Sequence, residues 1–300
     1  MKKVALFTLL LCTTATHLFS QNKVDVIFLT DHYEAYLQKA NSSADQQELY
    51  TSTVQLPIYS TYFKTSQYAP FVFEELASET VNNEKLTSQV KQIKSNKAKI
   101  QELIEKSFEK CTTSIPLDQL SIYVIPPKSE LNFMSDTMSG VFGLTAGENA
   151  ILLSIDPTIN GWEKMLSYAV AHEYYHAYWT KQNYHKITGW NILDFMCFEG
   201  RADYFAKQLF PKVRTPWTET LSKQEEKELW ESLLPELTNQ DFEFLLQVMF
   251  GSDNYPKWGG YALGYTITNN ALQKENTLSI SEWTTKQPIE LLALTDFQTD

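Results

Sequence analysis

Residues His172-Glu173-Tyr174-Tyr175-His176 carry the pattern H-E-x-x-H. Two imidazoles four residues apart leave the same face of an α-helix, so both can reach one metal ion. A glutamate directly after the first histidine can approach the open side of that ion. Zinc lowers the pKa of water towards about 7, and the glutamate can act as general base towards such a water. The chemistry indicated is hydrolysis, with His172 and His176 as ligands and Glu173 as base. An arbitrary chain of this length contains the pattern about once in a hundred, and here two of only five histidines fall in it.

A catalytic zinc site needs a third protein ligand. A histidine six residues beyond His176 is absent: position 182 is Gln and position 179 is Trp, which removes the elongated class with a third histidine. Carboxylates are available at Asp194, Glu199 and Asp203. Glu199 lies in Phe198-Glu199-Gly200-Arg201-Ala202-Asp203, with residues 177 to 198 between it and His176. That separation fits a helix, a connection over Lys181 to Gly189, and a second helix. Glu199 and Asp203 again share a helix face. Glu199 can then bind the ion while Asp203 accepts the far N–H of a ligating histidine, His172, and fixes its tautomer. Gly200 and Ala202 are small, as close packing of two helices around one ion requires.

A helix with H-E-x-x-H followed by a helix with E-x-x-x-D resembles the gluzincin metallopeptidases, the thermolysin-like group. More narrowly, residues 172–179 and 198–205 resemble a family of predicted zinc-dependent proteases that is classed as a domain of unknown function. The resemblance implies one Zn2+ per chain held by His172, His176 and Glu199, base catalysis by Glu173, and hydrolysis of a peptide or protein substrate. Its specific motifs cover residues 172–205.

The surrounding elements must position these groups. Trp162, Met165, Leu166, Ala169 and Val170 form an apolar stripe, and no Gly or Pro interrupts residues 162–182, which predicts the metal-binding helix. Further helices are expected at about 190–208, 223–234, 238–250 and 258–273. Leu120 to Ile125 and Ala150 to Ile155 read as strands of a small antiparallel or mixed sheet, with Val24 to Phe28 as another short strand. In gluzincins an edge strand upstream of the zinc helix pairs with substrate backbone, and Gly140 to Ile155 is the segment placed to do so. Tyr261 and Tyr265 share a helix face beside Gly260 and Gly264, which permit a close approach. Either tyrosine is a candidate oxyanion donor, with core packing as the competing role. Periodic Leu86, Val90, Ile93, Ile100, Ile104 and Phe108 predict one long helix over 82–110. The fold expected is α+β and mostly helical: a gluzincin-like catalytic core with a small sheet and an active-site helix pair, preceded by a helical N-terminal region. The divisions expected are a leader over 1–20, the helical region over 21–115 and a zincin-like domain over 116–300.

With 43% hydrophobic and 20% charged residues, the composition is that of a globular chain. A net charge of -11 and the lack of a basic track exclude a nucleic-acid backbone as partner. Lys2-Lys3, the apolar stretch Val4 to Thr16 and Ser20 at the exit form a secretory signal pattern, so export to a periplasmic or extracellular space is expected. Leu11 before Cys12 argues against lipidation. No later run approaches the length of a membrane helix, so stable insertion is not expected. Cys111 and Cys197 are expected to be buried thiols. No pattern specifies an oligomer. Two rivals share the site: an exported zinc-binding or assembly protein without turnover, and a zinc hydrolase of non-peptide amides or esters. An intact Glu173 and the lack of a fourth protein ligand argue against the first.

Overall fold

Two apolar, β-branched segments set the centre of the molecule. The computed structural model describes residues 23–41, 44–78, 80–128 and 137–297; the leader expected over 1–20 lies outside them. β1 (Lys23–Phe28), β2 (Gln119–Ile125), β3 (Val141–Gly147) and β4 (Ala150–Ile155) form one sheet in the order β1-β2-β4-β3. β1 runs parallel to β2 and β2 parallel to β4, while β3 pairs antiparallel with β4 and forms an edge. The sheet is thus mixed, and its first strand comes from the N-terminal region.

Side chains alternate across a strand, and here both faces are covered. Ile122, Val124, Ile151 and Leu153 pack into the main core. Tyr123, Ile125, Ala150 and Leu152 point to a second core on the opposite face. That second core is closed by α1 (Thr30–Ala40), α2 (Gln46–Tyr50), α3 (Leu56–Ile58) and α4 (Ala69–Leu76), with π turns at Thr51–Gln55 and Tyr59–Phe63 flanking α3. The sheet is therefore a central layer between two helical layers, which explains why β2 and β4 read as continuous apolar runs.

The helix expected over 82–110 is two helices, α5 (Asn83–Ser95) and α6 (Lys97–Thr112), broken at Asn96 with φ -101° and ψ 9°. The break has a packing cause. Leu86 and Val90 of α5 belong to the N-terminal core, while Ile93, the last apolar residue before the break, already joins Ile100, Ile104 and Phe108 of α6 in the main core. With α1–α4 the two helices make the crossover that parallel β1 and β2 require.

The helices from Trp162 onward lie close to the sequence expectations. α7 (Trp162–Asn183) starts after Gly161, whose φ of +92° favours glycine. α8 (Ile192–Leu209) opens with a capping box in which Asn191 and Asp194 satisfy each other's backbone N–H. α9 (Lys223–Leu233), α10 (Phe242–Phe250) and α11 (Gly259–Lys274) pack with α8 around a third core, and α12 (Ile280–Thr285) and α13 (Pro288–Leu292) close the chain. Gly200 and Gly264 meet face to face: a Cβ on Gly200 would collide with the Gly264 carbonyl, and one on Gly264 with the Met196 carbonyl. The close approach expected of Gly200 is present, but its partner is α11 and not the histidine-bearing helix. Cys111 and Cys197 are buried and free, and burial pushes both thiols up, Cys197 to about 11. Among the described residues no helix is long and apolar enough to cross a membrane.

Candidate metal centre

α7 and α8 lie side by side and bring together the three groups that the sequence marks as ligands. His172 Nε2 is 2.9 Å from His176 Nε2 and 3.2 Å from Glu199 Oε2, and His176 Nε2 is 3.4 Å from the same oxygen. Three electron-pair donors thus converge on one point. Tetrahedral zinc with bonds of about 2.0–2.2 Å would set its ligand atoms roughly 3.3 Å apart, so the donor set fits such an ion in type and spacing. Two imidazoles and a carboxylate are also the chemistry of a three-ligand site with a position left open. His172, His176 and Glu199 form the cluster among the described residues able to hold a metal ion.

The surrounding charges act on these groups strongly. Burial alone would raise the Glu199 carboxyl, but the His176 and His172 imidazoles beside it bring it down to about 2. Burial alone would lower His172, and the carboxylates of Asp203, Glu199 and Glu173 override it and hold it well above its ordinary value. The same carboxylates would attract a cation shared by the cluster.

The two histidines are supported differently. His172 Nδ1 lies 3.2 Å from Asp203 Oδ1, as the 199/203 spacing implies. With that N–H donated to Asp203, the Nε2 lone pair is left for a metal. Asp203 is completely buried, and it also accepts from the Tyr168 hydroxyl at 2.7 Å and from Trp217 Nε1 at 3.0 and 3.1 Å. A buried carboxylate is costly unless hydrogen-bonded, and these donors stabilise it. His176 has no such carboxylate. Its Nδ1 is buried without a hydrogen-bond partner, and its ring stacks on Phe198 with centroids 3.8 Å apart.

Glu173 is held from the other side, by the edge strand. Thr145 Oγ1 donates to Glu173 Oε2 at 2.7 Å and lies 3.0 Å from the Glu173 backbone oxygen. A Cβ on Gly143 would fall 2.5 Å from Glu173 Cγ and 2.7 Å from Oε1. A side chain at position 143 would therefore push the Glu173 carboxylate out of this position.

The cluster lies on a cavity of about 800 Å³. Its remaining wall is mostly apolar, including Phe142 and Leu144 of β3 and Phe242, Leu246 and Phe250 of α10. No Lys, Arg or Asp is among the described residues that line it. Of the two tyrosine candidates, Tyr261 lines the cavity and Tyr265 does not. Burial, and then the charges of Glu199, Asp203 and Glu173, push the Tyr261 phenol well up, so it remains a proton donor. Tyr265 instead lies beneath Lys207, whose Nζ is 4.7 Å from the ring centroid. Asp194, considered above as a carboxylate ligand, is used in the α8 cap.

Four contributors lay beyond the sequence reading: Tyr168, Trp217, Thr145 and Phe198. Tyr168 had a signal, since it precedes His172 by four residues and shares its helix face. Trp217 reaches Asp203 from a separate 3-10 turn, Pro216–Thr218, and no local spacing announces it.

Residues 100–293 match a family model described as "Predicted Zn-dependent protease (DUF2268)". No curated protein and no solved structure matches the chain. The matched stretch covers more than half of the 300 residues and includes β2, β3, β4, α7 and α8 with the whole metal cluster. The chain therefore belongs to this family of predicted zinc-dependent proteases.

Proposed function

We propose that the protein is an exported zinc metallopeptidase of gluzincin type, with one zinc held by His172, His176 and Glu199. The observation that carries this reading is the convergence of His172 Nε2, His176 Nε2 and Glu199 Oε2 within 3.4 Å on the wall of a large cavity. When bound, zinc supplies Lewis acidity, polarising a carbonyl oxygen and drawing the pKa of water towards about 7.

The chain's own residues do the rest. Glu173 is the general base: it takes the proton of the attacking water and passes it to the leaving amine nitrogen. Thr145 occupies Oε2 of that carboxylate, which leaves Oε1 for the proton. Asp203 holds the His172 ring in one tautomer, and Tyr168 and Trp217 hold Asp203. Tyr261, protonated and on the cavity wall, is the donor for the carbonyl oxygen as charge develops there. The edge strand β3 supplies backbone groups for an extended substrate beside its apolar side chains. A wall without Lys, Arg or Asp among its described residues favours peptides whose side chains near the scissile bond are large and uncharged. The leader Met1 to Ser20 directs export, and its removal leaves a chain beginning near Gln21.

The test is hydrolysis of quenched fluorescent peptides with apolar residues around the central bond. Wild-type protein loaded with zinc should cleave them, and Glu173→Gln should retain zinc and lose turnover. Full activity in Glu173→Gln would overturn the assignment of the base. Zinc-loaded wild type that cleaves no peptide would overturn the peptidase reading.

A further inference from the structure

Arg201 sits inside the metal-binding motif, yet it faces away from the metal. Glu199 and Asp203 point to the cluster; two residues along a helix is a turn of roughly 200°, so Arg201 leaves the opposite side of α8. It is 1% exposed, and a guanidinium stays protonated at any ordinary pH. Its hydrogen bond is from Nη2 to the Lys286 backbone oxygen at 2.7 Å. Nε is buried with no acceptor, and among the described residues no carboxylate comes within the 4.0 Å of an ion pair. Asp194 is its electrostatic partner, beyond ion-pair distance on the same helix, and a buried guanidinium without a direct ion pair or a full set of acceptors is costly.

Arg201 lines a small cavity of about 130 Å³ whose wall also carries Lys186, Lys286, Asp194 and Trp179. Three of these side chains are cationic and one is anionic, and the Asp194 carboxylate accepts the Asn191 backbone N–H in the α8 cap. Trp179 Nε1 is likewise buried without a partner. Both unpartnered groups on this wall are donors, so what is missing is an acceptor. Ile187, Gly189 and Trp190 line this cavity and the large one alike, so the two adjoin.

We infer that the cavity beside Arg201 is a binding site for a compact carboxylate, held by Arg201 with the support of Lys286 and Lys186. A carboxylate supplies acceptors only and matches the guanidinium fork. It can arrive as a free small acid or as the terminal carboxylate of a peptide lying in the adjoining cavity. Only the second source rests on the peptidase reading; the site itself does not.

The test titrates sodium formate and sodium acetate into the zinc-loaded protein at constant ionic strength, with uncharged acetamide as control. Melting temperature and tryptophan emission follow binding, since Trp179 and Trp190 line the site. A saturable response to the carboxylates, absent with acetamide and weakened about tenfold or more in Arg201→Met, is expected. Lys286→Gln, at a half-exposed position that does not endanger folding, should weaken the response about two- to threefold. A second arm measures binding of an apolar peptide, as free acid and as amide, to zinc-loaded Glu173→Gln. Tighter binding of the acid, competed by acetate, identifies the substrate terminus as the occupant. Equal binding of acid and amide, alongside a saturable acetate response, identifies a free small acid. No saturable carboxylate response in wild type with equal peptide affinities, or a response unchanged in both Arg201→Met and Lys286→Gln, would overturn the site.

Discussion

The floor of the large cavity and its mouth are built on opposite principles. On the floor, Asp203, Glu173 and His176 are buried, and their geometry is set by short polar contacts from Tyr168, Trp217, Thr145 and neighbouring ligands. At the mouth, Phe71, Phe242, Leu246 and Phe250 are 38–48% exposed and make loose aromatic contacts, such as Phe71 with Phe242 at 6.0 Å. The floor fixes atoms; the mouth offers apolar surface. An exposed apolar rim over a polar, pre-positioned floor would divide the labour of the proposed peptidase between recognition and chemistry, and substitutions in the two regions should separate accordingly.

The largest effect is expected at the floor. Glu173→Gln should lower kcat by about 10²–10⁴, with KM and zinc content close to wild type; steady-state kinetics beside metal analysis checks both. A change confined to KM would place Glu173 in recognition instead. Next comes the support of His172. Asp203→Asn should weaken zinc binding roughly 10–100-fold in a chelator competition, because a neutral amide has one acceptor oxygen for the three donors on Asp203 and no charge to hold the His172 tautomer. Unchanged affinity would mean that burial alone holds the imidazole. Thr145→Val should lower kcat about tenfold while zinc is retained, since a hydrogen bond to a charged group is lost. Thr145→Ser should restore most of it; loss in Thr145→Ser with little loss in Thr145→Val would point instead to packing of the γ-methyl group. The smallest effect belongs to the mouth: Leu246→Ala should raise KM for an apolar peptide a few-fold and leave kcat unchanged. Because Leu246 is partly exposed, stability should change by no more than about 0.5 kcal/mol. A fall in kcat there would join mouth to floor and break the comparison.

What could be read from sequence follows the same division. The ligand set is a matter of local periodicity: 172 with 176 and 199 with 203 fix which side chains share a face, and α7 and α8 bring those faces together. The start of α8 falls two residues from the expected 190, and the Asn191–Asp194 cap that fixes it belongs to the structure. The hydrophobic stripe over 82–110 runs unbroken through Asn96, and only the passage of the chain from the N-terminal core to the main core reveals the break. Tyr261 and Tyr265 are equivalent by spacing; the packing of α11 against α8 puts Tyr261 on the cavity and Tyr265 beneath Lys207. Trp217 on Asp203 and Thr145 on Glu173 join residues 14 and 28 positions apart. They are products of the tertiary arrangement, for which a single sequence carries no spacing rule.

The three-ligand zinc site is tested most directly by metal content. Purified protein spanning residues 21–300 would be measured by mass spectrometry, wild type beside Glu199→Ala, with circular dichroism confirming that both are folded. About one zinc per wild-type chain, lost or greatly loosened in Glu199→Ala, is the result expected of a site with two histidines and one glutamate. Folded wild-type protein that takes up no zinc, or a Glu199→Ala variant that holds zinc as tightly as wild type, would contradict it.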